Sequence, residues 1–336
     1  MKRINERSFT ALILIADAFP LLCISGSISL LTVLGVLTGM AAQTVIALPL
    51  AGLYSSGGTI RSGGRLVQTV YLLIATVWGA LLFDMLWRTS GAVYIPHEGS
   101  GKYGKLLIAG CIGAVCLYIA VSGLSGLARA GAVTAVIGGA LLLELVICGV
   151  MQGDMQRITE LHSTGGLAEE IYRGIALGGG SGCLPVLLGS VRGAPLRSLL
   201  RTFMSRALFA VIFLLSAELL AAPVMAISDF PAVMAAQLSQ PFPSQRIDAL
   251  FMIVFSCIAV YSITVQTVTA ALIAGELIPS CKRYAPAVIL LLMTAGAVIL
   301  EHSGSTSPVI AGMNIIALIL LPAAHIIRTK MRIENA

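Results

Sequence analysis

The 336-residue chain is 57% hydrophobic and 11% charged, with a formal net charge of +6 and a mean hydropathy of +0.96. No soluble fold of this length buries that much apolar surface, so the composition excludes a water-soluble globular protein and indicates a polytopic helical membrane protein. The seven cysteines (23, 111, 116, 148, 183, 257 and 281) have no CxxC spacing, which argues against both a disulfide framework and a cysteine metal site.

Ten spans are expected from apolar length, with breaks at charged or Pro/Gly clusters: 8–24, 27–53, 66–88, 104–122, 129–151, 172–191, 200–223, 247–274, 285–300 and 307–327. Met1 to Arg7 leads into the first without a small-residue cleavage site, so that run is read as a retained span and not as a signal peptide. Within it the sequence Ala16-Asp17-Ala18-Phe19-Pro20 predicts an interruption, because Pro20 withholds a backbone donor from the carbonyl one turn earlier. Asp17 falls near mid-span with no Lys or Arg expected at its depth. A carboxylate there is costly and faces the protein interior. It would hold a substrate amine, bind a cation, titrate, or simply stabilise the break as a neutral hydrogen-bonded acid.

Span 2 is long and expected to tilt or bend near Pro49. In span 3, Tyr71 and Trp78 lie seven residues apart on one face, and a mid-depth Trp either walls a pocket or fills the core. Asp84, near the outer end of that span, is expected to reach water. Glu144 in span 5 and Glu218 in span 7 are the other intramembrane acids, candidates with Asp17 for an ion or proton site. Segment 152–171 carries Asp154, Glu160, Glu169 and Glu170 around Gly165-Gly166, a short surface helix or an exposed connector.

Span 6 is the most unusual. Its middle, Gly178-Gly179-Gly180-Ser181-Gly182, is almost without side chains, and Pro185 follows. Each Gly weakens a helix by close to 1 kcal/mol relative to Ala. Unwound backbone at bilayer depth persists only inside protein or along a cavity, and such breaks hold substrate in secondary transporters. The alternative is that the glycines let two helices touch. Span 8 carries Tyr261, Ser262, Thr264, Gln266, Thr267 and Thr269, with Ser262, Gln266 and Thr269 on one face as ligand contacts or interhelical glue.

With the N-terminus in the cytoplasm, 15 of the 21 Lys and Arg residues fall on inner segments. The other six are Arg88, Lys102, Lys105, Arg157, Arg173 and Arg246. This asymmetry predicts that both termini are cytoplasmic. Arg192, Arg197, Arg201 and Arg206 form an inner basic cluster read as an orientation signal and lipid-headgroup contact, with no role for nucleic acid. Ten spans divide into repeats at 8–151 and 172–327 within one transmembrane domain, 1–336. Spans 1 and 6 then correspond, and both are interrupted, the sequence pointer to a transporter site. His97, His162, His302 and His325 lie near span ends or in loops, and no metalloprotease, P-loop or nucleophile-elbow motif is present, so neither enzyme activity nor a cofactor is expected.

Asp229-Phe230-Pro231, followed by Gln245-Arg246-Ile247-Asp248-Ala249-Leu250-Phe251 leading into span 8, resembles the B subunit of GerA-type spore-germination receptors. Gly126-Leu127-Ala128-Arg129 resembles that family's turn between spans 4 and 5, and the N-terminal Lys-Arg-Ile-Asn-Glu-Arg and the ten-span layout also agree. Phe255 stands where the family usually has Trp. The resemblance implies the amino acid/polyamine/organocation transporter superfamily and a LeuT-type five-plus-five inverted repeat with helices 1 and 6 broken. It implies a nutrient sensor in the spore inner membrane, working with an A subunit, a lipoprotein C subunit and sometimes a small D subunit. A small nutrient such as an amino acid would bind at Ala16, Asp17, Phe19, Trp78, Gly178 to Gly182, Tyr261, Ser262 and Gln266. The other readings are an amino-acid secondary transporter and a non-transporting membrane scaffold.

Overall fold

A computed structural model of the chain describes residues 4–24, 28–55, 63–94, 102–152, 167–178, 183–221, 233, 248–303 and 321–334. Among these, the helices are α1 (Glu6–Leu22), α2 (Leu30–Ser55), α3 (Gly64–Tyr94), α4 (Lys102–Val121), α5 (Gly123–Gln152), α6 (Leu167–Gly178), α7 (Cys183–Leu188) and α8 (Pro195–Ala221). They continue as α9 (Asp248–Leu277), α10 (Ala285–Ser303) and α11 (Leu321–Glu334). Five helical stretches, Leu30–Ser55, Gly64–Ser90, Gly123–Met151, Pro195–Leu220 and Leu250–Leu277, are long and apolar enough to cross a membrane. With the composition, they make this an integral membrane protein. Most of the expected tenth span, 307–320, lies outside the described residues, as do the segment 153–166 and the Asp229-Phe230-Pro231 motif.

Two helices form the centre. In α1, Phe9, Leu12, Ile13 and everything from Ile15 to Leu22 are buried, so the helix is enclosed on all sides, as an apolar surface all round requires. It packs against α5, α8 and α9. In α9, 78% of the apolar window is buried, and the helix touches α1, α3, α4, α5 and α10. By contrast α5 turns Val133, Val136, Ile137, Leu143, Ile147 and Val150 outward at helical spacing, the stripe of a lipid-facing helix.

Three boundaries differ from expectation for local reasons. First, α1 is not split into half-helices: it runs unbroken through Asp17 and Pro20. Pro20 lies in the last turn, so its missing N–H affects a single carbonyl before the helix ends. Second, α8 starts at Pro195 instead of residue 200, since Pro suits the first helical position. Third, the break between α4 and α5 falls at Gly123, whose φ of +74° turns the chain. This places Gly126 to Arg129 inside α5 and not in a turn.

Two short strands tie distant segments together. β1 (Ile4–Asn5) pairs in parallel with β2 (Val191–Arg192), in register Ile4 to Val191 and Asn5 to Arg192. The Ile4 N–H donates to the Ser190 carbonyl at 3.0 Å. Gly193, at φ +122°, then reverses the chain, and the Ala194 N–H donates to Glu6 Oε1 at 3.1 Å. The start of α1 is thereby fastened to the segment joining α7 to α8.

Candidate functional site

Of span 6, α6 and α7 are described, and Gly179 to Gly182, where the interruption is expected, lie outside the described residues. Gly178, the last residue of α6, is described, and it is a packing residue. A Cβ there would overlap the Val36 carbonyl oxygen and lie 2.7 and 2.8 Å from Val36 C and Cα. Gly174, one turn earlier, approaches Gly35 in the same way: a Cβ on Gly174 would lie 2.8 Å from Gly35 Cα. Thus α2 and α6 touch backbone to backbone along Gly35, Gly174 and Gly178, as small-residue membrane interfaces do. The carbonyl of Gly178 points elsewhere and accepts a hydrogen bond from Arg206 Nη2 at 3.2 Å.

That guanidinium changes the expectation for Asp17. Arg206 is 1% exposed and its Nε lies 2.8 Å from Asp17 Oδ2, an ion pair inside the protein. Arg206 Nη1 donates to Gln43 Oε1 at 2.6 Å. Hence Arg206 is buried and stands apart from Arg192, Arg197 and Arg201, which are exposed. It lies eleven residues into α8, about 16 Å along the axis at 1.5 Å per residue. Asp17 accordingly has an internal cation at its own depth, and α1, α2, α6 and α8 meet on one guanidinium.

A second polar group lies on α9. Ser262 Oγ donates to the Ile15 carbonyl on α1 at 3.0 Å. Nearby, the Phe19 and Phe255 rings pack with centroids 5.4 Å apart, so Phe255 fills this position by aromatic contact. Gln266 follows one turn after Ser262 on the same face. It is fully buried, and among the described residues neither its amide oxygen nor its amide nitrogen has a hydrogen-bond partner. The same holds for the indole N–H of Trp78 on α3, 1% exposed. The two lie at one depth. Their chain neighbours Thr267 and Gly79 both face Met293 of α10: Thr267 Oγ1 is 3.5 Å from its sulfur, and a Cβ on Gly79 would lie 3.0 Å from its Cγ. Buried polar groups without partners are costly and rare.

The remaining expected residues are placed apart from these two groups or are committed elsewhere. Ala16 is fully buried in the core of α1. The Tyr261 hydroxyl donates to the Leu127 carbonyl of α5 at 3.0 Å, so this side chain closes α9 onto α5. Glu218 is half-buried and twelve residues, about 18 Å, along α8 from Arg206. Glu144 is half-buried on α5, six residues or about 9 Å beyond Gly138, which faces Ile15. Asp84, expected to reach water, is 2% exposed and pairs with Arg88, whose Nε lies 3.1 and 3.0 Å from its two oxygens. Sequence reasoning missed Arg206 and Gln43. The available signal was Asp17, an acid in mid-span with no basic residue of its own span to pair with.

By sequence, no family model and no curated protein matches the chain. Solved structures similar in fold include two of one transporter. One is Mhp1, a nucleobase-cation-symport-1 family transporter, in a closed conformation with bromovinylhydantoin bound: TM-score 0.66 at 12% identity, over 97% of this chain and 78% of that one. The other is the inward-facing conformation of Mhp1: TM-score 0.59 at 13% identity, over 97% and 76%. At such identity the likeness is one of fold, and the chain has the polytopic all-α, LeuT-type architecture of these transporters.

Proposed function

We propose that this chain binds a small polar molecule among α1, α3, α9 and the divided span α6–α7, and changes conformation around it as a secondary transporter does. The observation that carries this reading is a pair of buried polar groups without hydrogen-bond partners among the described residues, the Trp78 N–H and the Gln266 amide, at one depth in a fold shared with a transporter. An amide offers one donor side and one acceptor side, and an indole offers a donor and a flat apolar face. Together they suit a compact ligand with adjacent donor and acceptor groups, such as an amino acid or a cyclic amide like the hydantoin bound by Mhp1. The test is thermal stabilisation of the purified chain by a panel of amino acids and hydantoins. A hit should be lost in Gln266→Leu and Trp78→Phe, while unliganded Gln266→Leu, close to isosteric, melts no lower than wild type. Retained stabilisation in both variants would remove these residues from the site.

A second reading, a nutrient-sensing subunit of a spore-germination receptor with A, C and D partners in the spore inner membrane, is favoured by Asp248-Ala249-Leu250-Phe251, which opens α9. In this reading both termini are cytoplasmic and the ligand shifts a conformational equilibrium read by the partners. Co-purification with A and C subunits, without uptake of the ligand by the chain alone in vesicles, separates this reading from the first.

A further inference from the structure

Three oxygens from three helices converge on one guanidinium. Asp17 Oδ2 lies 2.8 Å from Arg206 Nε, Gln43 Oε1 2.6 Å from Nη1, and the Gly178 carbonyl 3.2 Å from Nη2. A carboxylate, an amide oxygen and a backbone carbonyl are oxygen ligands of the kind that hard cations take, and their summed charge of −1 calls for one positive charge. We infer that Arg206 is a tethered cation: it fills from within a cation site at the junction of α1, α2 and α6, so the junction closes without a free ion. The fold neighbour is described as a member of a cation-symport family. Here a free cation cannot occupy these oxygens while Arg206 does. The burial of both charged groups, 1% exposed for Arg206 and 6% for Asp17, supports a resident charge, because each would be destabilising alone. Removing the guanidinium would therefore leave a negatively charged site of guanidinium size.

The inference stands on this junction alone and is independent of the ligand reading at Trp78 and Gln266. It is tested on the full chain in detergent, with Arg206→Ala and Arg206→Ala/Asp17→Asn compared with wild type. Melting temperatures are read in sodium, potassium, methylguanidinium and choline chlorides at equal ionic strength. Wild type should melt identically in all four. Arg206→Ala should melt lower in choline and regain about 3 °C or more in at least one of the other salts, as linkage to a bound ion requires. The double variant should lose that response, because it lacks the carboxylate. An Arg206→Ala protein insensitive to the salt, or a wild type as sensitive as the variant, would overturn the inference. If Arg206→Ala does not accumulate, membrane level decides: adding Asp17→Asn should restore it, and a double variant equally absent would overturn the assignment of Arg206 as the counter-charge of Asp17.

Discussion

Gly178→Ala tests whether the end of α6 is set by backbone contact. The added methyl would overlap the Val36 carbonyl oxygen and sit 2.7 and 2.8 Å from Val36 C and Cα, against an ordinary Cβ contact of 3.4–4 Å. All three atoms are backbone, so no rotamer change relieves the clash, and α6 must move off α2 by a large fraction of an ångström. The Gly178 carbonyl moves with it, and its 3.2 Å bond from Arg206 Nη2 is already long. Overpacking contributes about 1–3 kcal/mol, and weakening a hydrogen bond from a charged donor adds up to about 1.5–3 kcal/mol. Alanine's better helix propensity offsets less than 1 kcal/mol at this terminal position. The expected net loss is about 2–5 kcal/mol, a melting point lower by roughly 3–7 °C for a chain of this length. The control is Gly139→Ala on α5, where a Cβ meets nothing within 4 Å. It should be neutral or stabilising by up to about 1 kcal/mol. Thermal unfolding of both variants in the same detergent is the assay. If Gly178→Ala melts within a degree or so of Gly139→Ala, the backbone contact does not set the position of α6.

Tyr261→Phe removes the donor to the buried Leu127 carbonyl and should lower stability by about 1–2 kcal/mol, while leaving any ligand response intact. A lost ligand response with unchanged stability would return Tyr261 to the binding site. Gly193→Ala forces a side chain onto a φ of +122° and brings its Cβ within 2.6 Å of Glu6 Oε1, so it should loosen the β1–β2 pairing. Amide hydrogen exchange at Ile4, whose N–H bonds the Ser190 carbonyl, should accelerate at least about tenfold, and an unchanged rate would refute the proposed hold.

Much of the architecture was legible because membrane spans are written in apolar length and charge. The shared face of Ser262 and Gln266 follows from helical periodicity. What escaped depends on direction and partner. Gly178 was read as ligand-facing backbone, yet its Cα side is taken by Val36 and only its carbonyl turns inward. Tyr261 and Ser262 are adjacent, but about 100° apart on a helix, so one hydroxyl reaches α5 and the other α1. Arg206 was counted with its basic neighbours because α8 was begun five residues late. Pro195, a residue that favours the first helical position, held the information that would have placed it deeper. A two-residue strand such as β1 has no periodicity to read at all, so its pairing with Val191 and Arg192 is visible only in three dimensions.

These attachments fasten α6 and α7 in different ways. α6 lies backbone to backbone on α2 through Gly35, Gly174 and Gly178. α7 continues through Ser190 into β2, which pairs with β1 at the start of α1. α1 therefore holds α7 by a strand at its N-terminal end, and holds α6 through the Asp17–Arg206–Gly178 bridge eleven residues later than Glu6. It is also held to α9 by the bond from Ser262 to the Ile15 carbonyl, two residues before Asp17. A displacement of α1 along its axis would strain all three fastenings together, whereas a tilt about its N-terminal end would spare the strand and load the ion pair and the Ser262 bond. The charge-assisted bridge and the single neutral bond differ in strength by roughly twofold, so the weaker one, nearest Gln266, is where a tilt would first give way.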